Sequence, residues 1–256
     1  MSWGRTYKDV FHLLVEHGKY DYAVEKIESG IYSKHDKNPD EGLVDQLMVG
    51  FFNKWIGFDE PVLTRFFQKA PTKLRGHAAH FLTIGFKSLI KKPKKDIIKQ
   101  LKYYWENRLE EITKEHEENK EEAFEFVGWV KNSPFKPKET FELLYKTLEL
   151  TNGEIGERNI DEFIEGVCDI AEQNELMALR CLNKAMSDEQ MAMYFSSYEK
   201  NLTNFMDSIV QLPDERADVG EIRTEAVKLA DAYGRKHIYK FRPIYEKLSD
   251  KVEGAP

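Results

Sequence analysis

The chain has 256 residues, 41% of them hydrophobic and 32% charged, with a formal net charge of -7. That much apolar material supports a sizeable core and excludes a disordered polyelectrolyte. The acidic balance excludes broad binding along a phosphate backbone, which draws on Lys and Arg spread over a whole face, and no run approaches the ~18 apolar residues that span a bilayer.

The first predicted helix runs over 6–17, where Tyr7, Val10, Phe11, Leu14 and Val15 recur at helical spacing, and Gly18 stops it. A second follows with Tyr20, Ala23, Val24, Ile27 and Ile31 on one side, so residues 1–33 read as a helical hairpin closed by a polar loop over 33–40. Beyond Asp40, an N-cap by residue type, Leu43, Val44, Leu47, Met48, Phe51, Phe52, Trp55 and Ile56 mark the strongest core helix. A short helix over 62–69 ends at Pro71, and a longer one over 72–90 carries Phe81, Leu82, Phe86 and Leu89.

Pro93 breaks this helix. The next pattern runs through Ile97, Ile98, Leu101, Tyr104, Trp105, Leu109 and Ile112, and resumes at Ala123, Phe124, Val127, Trp129 and Val130. Nine Glu lie between Glu106 and Glu125, and the spacing predicts two helices meeting near 116–120. Asn132-Ser-Pro-Phe-Lys-Pro137 reads as a hinge, giving an N-terminal lobe 1–131 and a C-terminal lobe 132–248, or else one continuous array. Helices are predicted over 138–150, 158–173, 175–186, 189–212, 219–232 and 236–248, punctuated by Gly153, Gly156, Pro213 and Gly234, with 249–256 as a flexible tail.

No strand pattern interrupts this series. The fold class is all-α, an irregular stack of antiparallel helix pairs in the manner of a HEAT- or TPR-like α-solenoid or a two-lobed helical array. The first residues carry no secretory signal, so the expected location is cytoplasmic. The two cysteines, Cys168 and Cys181, lie in apolar helical contexts and are expected to be buried and reduced.

Few residues suggest chemistry. His77 and His80 stand at i and i+3 on one helix and are the candidate metal ligands, although no Glu accompanies them as in a His-Glu-x-x-His motif. Lys87, Lys91, Lys92, Lys94, Lys95, Lys99 and Lys102 form the one local reversal of charge, and Lys91, Lys92, Lys94 and Lys95 are the candidate partner-binding residues. The plainer expectation is that these lysines pair with the glutamates that follow them. Arg108, beside Tyr104 and Trp105, suits holding a buried carboxylate, a structural role. No phosphate-binding glycine loop, nucleophile elbow or zinc-spaced Cys/His cluster occurs, so no catalytic residue and no cofactor is assigned.

Several phrases resemble the C-terminal helical region of large prokaryotic NTPase and sirtuin-associated antiviral defence proteins. They are Phe66-Phe67-Gln-Lys-Ala-Pro71 with Arg75-Gly76, Leu101-Lys-Tyr-Tyr-Trp105-Glu-Asn-Arg108, Phe126-Val-Gly-Trp129-Val, and Ala226-Val-Lys-Leu-Ala-Asp-Ala-Tyr-Gly234 followed by Phe241-Arg242. The resemblance implies a helical-repeat sensor or interaction segment, with ATP or NAD chemistry in upstream domains that this sequence lacks. The functional expectation is a non-enzymatic module that binds a protein partner and neither membrane nor, in the first instance, nucleic acid. The alternatives are a metal-dependent or small-molecule enzyme with a site between helices, and nucleic-acid binding through the Lys87 to Lys102 patch.

Overall fold

A computed structural model describes residues 41–42, 44–45, 48, 70, 72–114, 120–185, 196–235 and 241–253. The predicted helices over 6–17, 20–31 and 62–69, and most of the strong core helix after Asp40, lie outside them, as do residues 116–119 of the junction placed at 116–120. The buried side chains of Val44 and Met48 belong to that core helix.

The described residues are all-α and contain no strand. Their helices are α1 (Thr72–Lys91), α2 (Lys95–Lys114), α3 (Lys120–Val127), α4 (Pro137–Leu150), α5 (Ile160–Ile170), α6 (Glu175–Ala185), α7 (Glu199–Val210), α8 (Val219–Arg235) and α9 (Arg242–Glu253). The chain divides into compact units at 1–125 and 126–256. The division falls ahead of the Asn132–Pro137 loop because Val127 and Val130 pack into the C-terminal core, and Phe126 meets Trp129 edge-on at 4.9 Å.

In the first unit, α1 buries Leu74, Ala78, Leu82, Phe86 and Leu89, and α2 buries Ile97, Leu101, Trp105, Leu109 and Ile112. Both sets recur every three or four residues, so each helix has one apolar face. Three residues join the helices, and Pro93 among them removes a donor and restricts Lys92 before it.

In the second unit, Pro137 sits in the first turn of α4, where its missing N–H costs nothing, and the Lys136 N–H donates to Glu139 Oε2 at 3.4 Å. The helix closes through Gly153, whose φ of 88° is left-handed and whose N–H donates to Leu148 O at 2.8 Å. α5 buries Ile160, Phe163, Ile164 and Val167 at i, i+3, i+4 and i+7. α6 lies against both α4 and α8, α8 against α9, and α7 against α5, α8 and α9, so the described helices form two rows, α4–α6–α8 and α5–α7–α9, that meet at α8. Ala178, Cys181 and Ala185 are small enough to let α6 pack on both sides. At the chain's end Tyr233 stacks on Phe241 at 4.3 Å.

Two expectations near the C-terminus need correction. Residues 249–253 are not a tail: α9 continues to Glu253, since nothing before Gly254 breaks it and Val252 stays half-buried one turn beyond buried Leu248. Gly234 does not end α8, which runs on to Arg235.

The loop over 211–218 is tied down by charge. Arg216 forks onto Glu175 at 2.8 and 2.9 Å and reaches Asp218 at 2.6 Å, while Arg223 binds Asp214 at 2.6 Å and Leu212 O at 2.7 Å. The Arg216 hydrogen bonds hold the carboxyls of Glu175 and Asp218 below their ordinary range, and Arg223 with Lys251 does the same for Asp214. Each carboxylate titrates lower folded than unfolded. Its contribution is therefore complete above the unfolded value of about 4 and is lost as pH falls below it. Urea midpoints should decline from about pH 5 downwards, and the Arg216→Gln variant should show a shallower decline; an identical slope in the two proteins would refute the assignment.

Cys181 is buried and Cys168 half-buried, and both are free thiols. Burial, helped by the charge of Asp169, pushes Cys168 up to about 12, and burial raises Cys181 further. At neutral pH a thiol reagent should label Cys168 slowly and Cys181 only upon unfolding. Rapid labelling of either in native protein would contradict this packing.

Candidate functional site

The first unit holds the densest polar cluster described, built around Glu122 of α3. Its side chain is 0% exposed, and each carboxylate oxygen receives two donors. Oε1 accepts from Arg108 Nε at 2.9 Å and Tyr104 OH at 3.1 Å; Oε2 accepts from Arg108 Nη2 at 2.7 Å and Arg75 Nε at 3.0 Å. Those four contacts occupy the acceptor capacity of a carboxylate. Arg75 also donates to Ala70 O at 2.8 Å, and Arg108 is hydrogen-bonded to Glu111. Two guanidinium groups thus share Glu122, and Arg108 reaches a second carboxylate at Glu111.

The surroundings act on each member accordingly. Burial would lower the pKa of Arg108, but the hydrogen bond and charge of Glu122 outweigh it and hold the group still more firmly protonated. Burial, reinforced by the charge of Glu122, pushes the Tyr104 phenol well above its ordinary value. A carboxylate saturated by four donors has no lone pair to accept a substrate proton, so this arrangement clamps α1, α2 and α3 together. Arg108 does hold a buried carboxylate; its identity, Glu122 within the run of nine, has no local signature, and the role of Arg75 was likewise missed.

Because Arg75 lies near the start of α1 and Arg108 near the end of α2, their common partner makes α1 and α2 an antiparallel hairpin. The turn over 92–94 is then roughly 24 Å from Glu122 along α1.

His77 and His80 face different carboxylates. His77 Nε2 lies 2.7 Å from Asp45 and its Nδ1 3.8 Å from Glu41; His80 Nδ1 lies 3.1 Å from Glu125. None of these partners is near in sequence. Among the described residues no group of three or more His, Cys, Asp or Glu side chains is arranged to hold a metal ion.

The candidate lysines fall at the far end of the hairpin. Lys91 ends α1, Lys92 and Lys94 flank Pro93, and Lys95 begins α2; Lys91, Lys92 and Lys95 are exposed, and Lys94 is half-buried. The expected pairing with the Glu run fails for most of them. Lys102 meets Glu106 at 3.8 Å, but among the described residues Lys87, Lys91, Lys92, Lys95 and Lys99 make no salt bridge. The distance explains it: Glu106 is eleven residues, about 16 Å, along α2 from Lys95.

Compared with protein-family models, with curated proteins and with solved structures, the chain matches none. No helix among the described residues is long and apolar enough to cross a membrane.

Proposed function

We propose that the chain is a non-enzymatic helical-repeat module that binds another protein, serving as an interaction or sensor segment of a prokaryotic antiviral defence system. The observation that carries the reading is the two rows of contacts among the described helices of the C-terminal unit, where α6 touches α4 and α8, α7 touches α5 and α9, and α8 meets both α7 and α9. Stacked helix pairs have this contact pattern, and stacks of this kind present extended surfaces to partners. The buried polar groups of the first unit support the same reading, since Glu122 is spent on joining helices. The defence setting follows from the resemblance in the motifs around Arg75, Trp105, Trp129 and Tyr233.

The test is an affinity pull-down of the tagged chain from lysate of its host, with and without phage challenge, repeated after nuclease treatment. A stoichiometric protein partner that survives nuclease is the expected result. No partner, or one lost with nuclease, would overturn the proposal.

A further inference from the structure

We infer that the lysine-rich end of the α1–α2 hairpin docks an acidic peptide segment that carries apolar side chains. The inference rests on the protein-interaction reading and names its surface. Residues 87–103 contain seven Lys and one acid, Asp96, a local charge of 7 - 1 = +6 within a chain of -7, which leaves -7 - 6 = -13 for everything else. Such a reversal confined to one end of one hairpin is a local attractor for anionic groups. Five of the lysines, Lys87, Lys91, Lys92, Lys95 and Lys99, are exposed and make no salt bridge among the described residues.

The apolar component is independent of the charge. Ile90 and Tyr103 are 49% and 56% exposed, and only Tyr245 joins them among the described large hydrophobics left exposed. Ile90 lies between Lys87 and Lys91 in α1, and Tyr103 follows Lys95 and Lys99 at four-residue steps on one face of α2. Tyr103 stands about 12 Å along α2 from Lys95. That is the reach of roughly four residues of extended peptide.

This chemistry selects among anionic partners. Phosphate recognition favours the planar fork of Arg, and this segment has none; base stacking favours several aromatic platforms, and here Tyr103 stands alone. A membrane surface would take an apolar tip, whereas Ile90 and Tyr103 stand among the lysines back from the turn, and Lys92 and Lys94 flank Pro93 in the turn itself. An acidic segment with interspersed apolar residues fits both features, its carboxylates meeting Lys point charges and its apolar side chains covering Ile90 and Tyr103.

The experiment is fluorescence polarisation of the full chain with a labelled peptide of alternating Glu and Leu. The comparison probes are the same peptide with Gln for Glu, single-stranded oligothymidylate, and vesicles containing phosphatidylserine. The variants are Lys91→Glu/Lys92→Glu/Lys95→Glu, Tyr103→Ser, and a charge-matched control, Lys146→Glu/Lys200→Glu/Lys247→Glu, at exposed positions of the second unit. Expected are salt-dependent binding of the Glu peptide, a loss of about tenfold or more in the hairpin triple variant, a several-fold loss in Tyr103→Ser, and little change in the control. Absence of peptide binding, equal loss in both triple variants, or tighter capture of oligothymidylate or vesicles by the same lysines would overturn the inference. A host protein still retained by the hairpin triple variant would reject this surface alone; failure of the wild-type chain to retain any protein would reject the interaction reading itself.

Discussion

Replacing Glu122 by Gln is expected to destabilise the first unit by about 3–5 kcal/mol, the usual cost of removing one partner from a buried ionic cluster. Gln keeps the shape but supplies one acceptor oxygen where the carboxylate supplied two, and turns an NH2 donor towards guanidinium or phenol donors that now lack an acceptor. Arg75 retains Ala70 O and Arg108 retains Glu111, so neither is wholly abandoned, but Glu111 is 40% exposed and a weaker counter-charge. Urea unfolding should give the size of the loss, and hydrogen exchange should place it in 72–125. Glu110→Gln, at an exposed position of α2, should change stability by less than ~0.5 kcal/mol. Replacing the charges together, as Arg75→Met/Arg108→Met/Glu122→Leu, should recover most of the loss because the buried carboxylate leaves with its guanidinium partners, and Glu111, which loses Arg108, is 40% exposed to solvent. A Glu122→Gln protein within about 1 kcal/mol of wild type would show that the cluster does not hold the helices together.

Helical faces were legible in the sequence where the apolar residues repeat without interruption. In α5 the spacing Ile160, Phe163, Ile164, Val167 leaves one solution, and in α2 the face carrying Leu101, Trp105 and Leu109 is the buried one while Glu106 is exposed. Periodicity identifies a face but does not name what it meets. Glu122 finds Arg75 across 47 residues, and His77 finds Asp45 across 32, so neither pairing leaves a local trace. Ends were less legible than faces. Gly234 is tolerated inside α8 because it is exposed, at a cost of about 1 kcal/mol relative to Ala, and the end of α9 carries no breaker until Gly254. The lysine cluster was legible as composition, but its separation from the glutamates became visible only once a turn held it at the far end of the hairpin.

The same contrast between a residue type and its surroundings governs the second large effect, at Gly166 of α5. A helical glycine read from sequence alone invites replacement by Ala, which would gain about 1 kcal/mol of helix propensity. A Cβ on Gly166 would lie 2.6 Å from Lys131 N, 2.8 Å from Lys131 Cα and 2.8 Å from Val130 Cγ1. Two of those atoms are backbone and cannot swing aside. The Lys131 backbone is tethered by its N–H to Gly128 O at 3.3 Å, and its ammonium meets Glu165 at 2.6 Å, a hydrogen bond that raises its pKa. Relief therefore requires α5 to move away from the turn at 128–131, loosening Val130 and Val167 in the core. Gly166→Ala should cost about 2–3 kcal/mol net of the propensity gain. Gly234→Ala is the matched control, since a Cβ there meets nothing within 4 Å, and it should stabilise by about 0.5–1 kcal/mol. Thermal unfolding should move the two variants in opposite directions, and a Gly166→Ala protein as stable as Gly234→Ala would mean that α5 does not rest on the Lys131 backbone.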